Sequence, residues 1–277
     1  MALDKKKGIA YGIKYSSLNG VSLILSKIIR GLIIPKLLVP FSYGLFSSVS
    51  LFTRYLNFFD FGATAYFTKE VAKLSRDSDP LSFQRLVDQT FSTLVLGIFL
   101  SSLVLVVMGL GYTGENQEFY KIAIFLLVPI YGLTKIREFF IYHLYGTGQY
   151  RYHALLSTLV NYTHLVLVSF GIYFYSAIGG VIAMLMSEVL MTAIVLWVVD
   201  LRPRFHLDTS VLRKIKCYSD QYYLQISETV TATADQLLLL FIFGPVGFGI
   251  YIFGLTFAWI FEALSEVLNN AYYPKVM

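Results

Sequence analysis

The chain has 277 residues, of which 56% are hydrophobic and 14% charged, with a net charge of +5 and a mean hydropathy of +0.65. Soluble domains carry about 25% charged residues, so this composition excludes a water-soluble globule. The single cysteine, Cys217, excludes an intramolecular disulfide and any multi-cysteine metal or cluster site.

The apolar residues form long blocks. No Asp, Glu, Lys or Arg lies between Arg151 and Glu188, or between Asp235 and Glu262. A helix needs about 20 apolar residues to cross a bilayer, and the hydrocarbon region admits only helices or closed barrels. Because these blocks lack the apolar–polar alternation of barrel strands, the sequence predicts an all-α, polytopic membrane protein.

Eight spans are predicted in chain order, with tight Gly/Pro turns joining the first to the second, the fifth to the sixth and the seventh to the eighth. Longer polar segments lie at 68–86 and 200–217. No cleavage site of small residues follows the basic N-terminal cluster, so the first span is expected to be retained rather than cleaved as a signal peptide. The predicted spans are 9–34, 43–67, 87–110, 119–144, 153–174, 177–199, 218–243 and 247–270.

The basic residues are distributed unequally between the two sides of this layout. With the N-terminus inside, 14 of the 22 Lys and Arg residues fall in inner segments, whereas Lys36 and Lys121 fall in outer ones. Because basic residues collect in cytoplasmic loops, both termini are predicted to be cytoplasmic.

A short internal repeat predicts two lobes. Pro40-x-x-x-Gly44 and Pro245-x-x-x-Gly249 are separated by 205 residues, and each opens a span. Six spans separate the two copies, so the copies have the same orientation and the lobes are parallel. Residues 1–199 are expected to form the first lobe, 200–217 a cytoplasmic linker and 218–277 the start of the second lobe.

Several ionisable residues lie inside the predicted spans. A charge at mid-bilayer costs about 2.5–3.5 kcal/mol, so it normally faces a polar cavity or a partner. Helical spacing places Lys27 and Arg30 on a polar face of the first span and Arg54 on that of the second. These three either line a cavity or pair structurally. The polar faces of the seventh and eighth spans are instead acidic and include Asp235 and Glu262, and Asp60 lies at the edge of the second span's polar face.

The remaining ionisable residues within the predicted spans could have purely structural roles. Lys135, Arg137 and Glu138 in the fourth span are either a self-neutralising cluster or functional residues. Glu188 and His164 are lone ionisable residues in apolar helices, where a helix-to-helix hydrogen bond is commoner than a proton relay. Motifs of hydrolases, metalloproteases and nucleotide-binding enzymes are absent, so neither catalysis nor a metal or cofactor is predicted.

Two stretches resemble a known family. Residues 34–49 (IPKLLVPFSYGLFSSV), followed by Phe59-Asp-Phe-Gly62 and Thr68-Lys-Glu70, resemble the opening of Wzx-type polysaccharide flippases. Residues 235–251 (DQLLLLFIFGPVGFGIY) are similar to the start of the second lobe of that family. Wzx-type flippases belong to the multidrug/oligosaccharidyl-lipid/polysaccharide exporter superfamily.

The resemblance implies two six-helix lobes around a cavity that opens alternately to each side of the inner membrane. It also implies a polyprenyl-diphosphate-linked oligosaccharide as substrate, with membrane lipid as a partner and no nucleic acid. In the related lipid II flippases, basic residues of the first two helices face the cavity, which would make Lys27, Arg30 and Arg54 substrate-binding residues. Asp60, Asp235 and Glu262 are candidates for gating or coupling.

The second lobe stops after two spans, where the family continues for at least four more. The chain is therefore expected to be a truncated copy or a fragment, or to have a partner chain that supplies the missing helices. A polysaccharide polymerase is a further expected partner. The alternatives are a drug or cation antiporter of the same superfamily, with acidic residues binding its substrate, and a non-transporting assembly subunit with a dry, fully paired interior.

The repeat also suggests a gate. Arg30 and Asp235 lie ten residues before Pro40 and Pro245, so they are expected at equal depth with opposite charge. Either they approach each other across the opening between the lobes, or each bonds within its own lobe.

Overall fold

The computed structural model describes residues 2–71, 74, 80–205 and 218–272. Side chains are described from residue 20 onward in these ranges, except for Gln221 and most of those beyond Ala258. The described chain is all-α, with seven helices and one short 3-10 helix, Asn57–Asp60. The helices are α1 (Ala2–Leu37), α2 (Pro40–Leu56), α3 (Ala63–Val71), α4 (Pro80–Gly111), α5 (Gln117–Gly146), α6 (Tyr150–Val198) and α7 (Ser219–Tyr272).

Four helical segments of the described chain are long and apolar enough to cross a membrane. They are α4, α5, α6 and the Tyr222–Ala258 part of α7. Because α6 and α7 each fold back on themselves, as described below, they contribute two crossings each. Together with α1 and the α2–α3 segment they correspond to the eight predicted spans: a six-helix first lobe and two helices of a second lobe.

Helix α6 is a hairpin of two arms. Tyr175 and Ser176 leave the helical conformation, and Ser176 has a φ of 55°. The arms then pack so tightly that a Cβ added to Gly179 would lie 2.9 Å from the carbonyl carbon of Gly171. Two residues eight positions apart in a straight helix would be about 12 Å apart. The break therefore coincides with the predicted turn between the fifth and sixth spans.

Helix α7 reverses in the same way at Gly244, whose φ of 63° is a conformation that favours glycine. Pro245 begins the second arm, where a missing backbone N–H costs nothing. Across the two arms, the Tyr251 hydroxyl donates a hydrogen bond to the Asp235 carboxylate. The turn predicted between the seventh and eighth spans is thus present.

The second predicted span, 43–67, differs from the structure. Helix α2 ends at Leu56, and the chain passes through the 3-10 helix and two left-handed residues, Phe61 (φ 52°) and Gly62 (φ 72°), before α3 begins. The Asp60 carboxylate accepts hydrogen bonds from the backbone N–H (3.3 Å) and the hydroxyl (3.0 Å) of Thr64. This side chain therefore satisfies a backbone donor in the first turn of α3, which favours a new helix start over a continuous helix.

The break packs against the second lobe. A Cβ added to Gly62 would lie 2.8 Å from the backbone nitrogen of Tyr222 in α7. Two apolar cores flank this region. One joins the Pro40 end of α2 to the second arm of α7 and includes Leu45, Val49 and Phe248, and the other surrounds Phe67 and Phe139. The end of the bundle that holds Pro40, Ser176 and Pro245 is named the proline end below.

Candidate functional site: a basic cavity between the lobes

A cavity of about 620 Å³ lies between the first lobe and α7. Its walls come from α1, α2, α5, both arms of α6 and both arms of α7. Apolar side chains line part of the wall, among them Ile34, Phe46, Ile130, Val168, Met184 and Ile252. The polar lining contains hydroxyl and amide side chains: Tyr43, Ser47, Ser50, Thr53, Asn57, Thr134, Gln236 and Thr256.

The structure brings the three predicted substrate-binding residues together in this cavity. Lys27 and Arg30 are one helical turn apart on α1, and Arg54 lies near the end of α2. All three side chains are exposed to solvent. Among the described residues, neither Lys27 nor Arg30 has an ion-pair partner within 4.0 Å. Three positive charges therefore face one space, and their role in binding remains a prediction.

Glu188 is the one carboxylate among the described residues that line the cavity. It is not a lone group, because Arg137 donates two hydrogen bonds to it, from Nε to Oε2 at 2.9 Å and from Nη2 to Oε1 at 3.1 Å. Both side chains are buried. Charge-assisted bidentate pairs of this kind are strong, so Glu188 is engaged by Arg137 and offsets little of the positive charge opposite it. His164 also lines the cavity.

Asp60 lies in a separate buried cluster. Lys135 Nζ is 3.6 Å from the Asp60 carboxylate and 3.1 Å from that of Glu138. The expected self-neutralising cluster in the fourth span is therefore present for Lys135 and Glu138, whereas Arg137 turns to Glu188 on another helix. Asp60 is a structural cap and ion-pair partner in this structure, and a part in gating or coupling stays a prediction.

The two remaining acidic candidates lie in α7. Asp235 is exposed, does not line the cavity and is bonded within α7 to Tyr251. No ion pair within 4.0 Å joins it to Arg30, so the two do not form the closed gate in this structure; Asp235 bonds within its own lobe. The side chain of Glu262 lies outside the described residues. No group of three or more His, Cys, Asp or Glu side chains in the described part could hold a metal ion.

Sequence patterns did not single out three polar residues of the wall, Thr134, Gln236 and Thr256. Thr134 and Gln236 stand directly beside the charged residues Lys135 and Asp235 in the sequence. Thr256 is an isolated polar residue in an apolar stretch and donates a hydrogen bond to the backbone oxygen of Ile252 in its own helix. A local pattern cannot distinguish such a residue from a threonine that satisfies itself within the helix. Their place in the cavity depends on how the helices are rotated.

No protein-family model matches the sequence, and no curated protein matches it significantly. Solved structures do share its fold. A MOP superfamily transporter from Pyrococcus furiosus, described by a binding pocket of reverse polarity that suggests a different function, has 18% identity and a TM-score of 0.57, with 96% of this chain and 65% of that chain covered.

A MATE in complex with Br-NRF has 18% identity and a TM-score of 0.63, with 95% and 63% of the two chains covered. An outward-facing multidrug resistance MATE family transporter has 18% identity and a TM-score of 0.55, with 94% and 64% covered. The chain thus spans less than two thirds of the length of these transporters. Over that length it has the fold of the MATE transporters of the MOP superfamily.

Proposed function

We propose that this protein translocates a polyprenyl-diphosphate-linked oligosaccharide across the cytoplasmic membrane by alternating access. The observation that carries the proposal is that Lys27, Arg30 and Arg54, from α1 and α2, line the same cavity. Lysine and arginine bind phosphate oxygens through charge-assisted hydrogen bonds. A diphosphate is the anionic group common to lipid-linked sugars, so its recognition requires such a cluster and no covalent chemistry.

The rest of the lining supports a sugar-bearing head group. Hydroxyl and amide side chains, among them Ser50, Asn57 and Gln236, both donate and accept hydrogen bonds. A lipid tail needs no polar enclosure and remains in the bilayer, so only the head group has to enter the cavity. The cavity therefore fits the polar part of such a lipid in charge and in hydrogen-bonding capacity.

Drug or cation antiport is the second candidate, favoured by the likeness to MATE transporters. A carboxylate would favour a cationic drug, but of the candidate carboxylates whose side chains are described, Glu188 is engaged by Arg137 and Asp235 is bonded to Tyr251 outside the cavity. A non-transporting assembly subunit would have a dry and fully paired interior. A 620 Å³ cavity in which Lys27 and Arg30 have no ion-pair partner among the described residues argues against that alternative.

Ligand-induced thermal stabilisation of the purified protein tests the charge of the substrate. Inorganic pyrophosphate should raise the unfolding temperature, and tetraphenylphosphonium should not, because only a ligand that binds the native state stabilises it. Arg30→Gln and Arg54→Gln should abolish the pyrophosphate effect. Lys36→Gln is the matched control, since Lys36 lies at the end of α1 outside the cavity. Stabilisation by the cation alone would support the antiporter instead.

Polymer export tests the activity itself. In a cell that depends on this protein for export, Arg54→Ala should abolish export while leaving membrane insertion intact. Lys36→Gln should leave both unchanged. Normal export by Arg54→Ala would remove the argument from the basic cavity.

A further inference from the structure

The two copies of the Pro-x-x-x-Gly repeat are in contact with each other. A Cβ added to Gly44 of α2 would collide with the carbonyl oxygen of Pro245, 2.7 Å from its carbonyl carbon and 3.1 Å from the Gly249 nitrogen. A Cβ added to Gly249 of α7 would collide with the carbonyl oxygen of Pro40, 2.9 Å from the Gly44 nitrogen. Each glycine therefore packs against the proline carbonyl of the other copy.

This reciprocity is that of a two-fold contact between parallel repeats. Gly44 contacts Pro245, and its equivalent in the second repeat, Gly249, contacts Pro40 in the same way. The backbones at the starts of the two helices are therefore in direct contact. Only glycine permits so close an approach, because any side chain would occupy the position of the opposing carbonyl. The contact joins α2 to the second arm of α7, and Phe248, the residue before Gly249, is completely buried in the core between them.

The contact lies directly next to the cavity. On α2, the cavity lining begins at Tyr43 and continues to Arg54, which is about 16 Å further along the helix. On α7, Ile252 and Thr256 line the cavity from the same helix face as Gly249, at positions i+3 and i+7. Both walls therefore run from the glycine contact down to the basic residues.

We propose that the Gly44–Gly249 contact, here named the glycine latch, is the barrier that closes the cavity at the proline end. Separation of the two repeats opens the cavity to that side. The consequence for transport rests on the proposed function, whereas the latch itself concerns only access of solvent to the cavity.

The test measures access from each end without a substrate. A Ser50→Cys reporter in a Cys217→Ser background places a single thiol in the cavity, and a membrane-impermeant maleimide is added to one side of sealed vesicles. An Asn116→Cys reporter at the start of α5 identifies the side that corresponds to the proline end. In the protein without latch substitutions, Ser50→Cys should be labelled at least about tenfold more slowly from the proline end than from the other side. A tenfold difference corresponds to ~1.4 kcal/mol.

Gly44→Ala and Gly249→Ala should each raise labelling from the proline end by about tenfold, because the added methyl group strains only the closed contact. Gly254→Ala is the matched control on the same arm of α7, where an added Cβ meets no atom within 4 Å. Unchanged rates in both latch variants would overturn the proposal, as would an effect from only one of them. If neither variant inserts into the membrane, the protein that carries only the Ser50→Cys reporter is the test. Equal labelling of that protein from both ends would overturn the latch as the closed barrier.

Because no ligand is present, these rates do not depend on which molecule is carried. If the latch variants show faster labelling but pyrophosphate does not bind, only the proposed substrate is contradicted. Pyrophosphate binding with unaltered access in the latch variants would contradict the latch alone.

Discussion

Arg137 and Glu188 join α5 to the second arm of α6 through two hydrogen bonds of 2.9 and 3.1 Å, and Glu188 at the same time forms part of the cavity wall. The pair is buried, with 10% and 8% of the two side chains exposed. It fixes the spacing of two walls of the cavity and keeps a carboxylate from facing the basic residues freely.

Removal of one partner of this pair should strongly destabilise the protein. Arg137→Ala or Glu188→Ala leaves a buried charge without its counter-ion, which costs about 3–5 kcal/mol, and each should lower the unfolding temperature in detergent. The double variant Arg137→Met with Glu188→Met should recover much of that loss because no uncompensated charge remains.

Arg202→Ala is the matched control for this experiment. Arg202 also pairs with a carboxylate, that of Asp200 at 3.7 Å, but both side chains are almost fully exposed. Its removal should leave the unfolding temperature unchanged, since exposed pairs contribute little. Additive losses in the double variant would show that Arg137 and Glu188 are not coupled.

We expect Lys135 to stabilise the protein mainly by compensating the charge of Asp60 rather than that of Glu138. Lys135→Met leaves the Asp60 carboxylate buried at 4% exposure, whereas Glu138 remains 31% exposed and can be hydrated. The variant should therefore express poorly. A second substitution, Asp60→Asn, should restore expression, because the amide removes the charge and its oxygen still accepts from Thr64.

A second double variant, Lys135→Met with Glu138→Gln, is the control for the double variant Lys135→Met with Asp60→Asn. The control variant should recover less, as judged by the amount of folded protein in detergent. Equal recovery by the two second-site variants would mean that Asp60 is not the residue that Lys135 compensates.

Gly62→Ala should loosen the contact between the break in the second span and α7. The added Cβ would be strained at a φ of 72° and would lie 2.8 Å from the Tyr222 nitrogen. We expect a loss of about 1–3 kcal/mol, seen as a lower unfolding temperature. Gly111→Ala, where a Cβ meets no atom within 4 Å, should have little effect. A similar loss in both would refute the close approach.

The orientation in the membrane follows from labelling of single cysteines in a Cys217→Ser background. Asn116 begins α5 at one end of the bundle, and the backbone nitrogen of Arg204 donates to Asp88 (2.9 Å) near the start of α4 at the other end. An impermeant reagent should label Asn116→Cys from outside the cell, and Arg204→Cys only after permeabilisation. Labelling of both from one side would contradict the predicted topology.

Much of the helical layout was predictable from residues near each other in the chain. The breaks at Ser176 and Gly244 coincide with Gly- and Pro-containing turns between apolar blocks. Lys27 and Arg30 share one face of α1 because their spacing is that of a helical turn. The break at 57–62 was missed, since it depends on Asp60 bonding to Thr64 and on Gly62 packing against α7.

The sequence by itself therefore determined the all-α membrane class, the number of crossings and the parallel repeat, because hydropathy and helical periodicity act over tens of residues. Only the tertiary structure decided which charges meet. Arg137 selects Glu188, 51 residues away, rather than its neighbour Glu138, and Gly44 meets Pro245 across the two lobes. Such partners are set by the rotation and approach of whole helices, which no local pattern specifies.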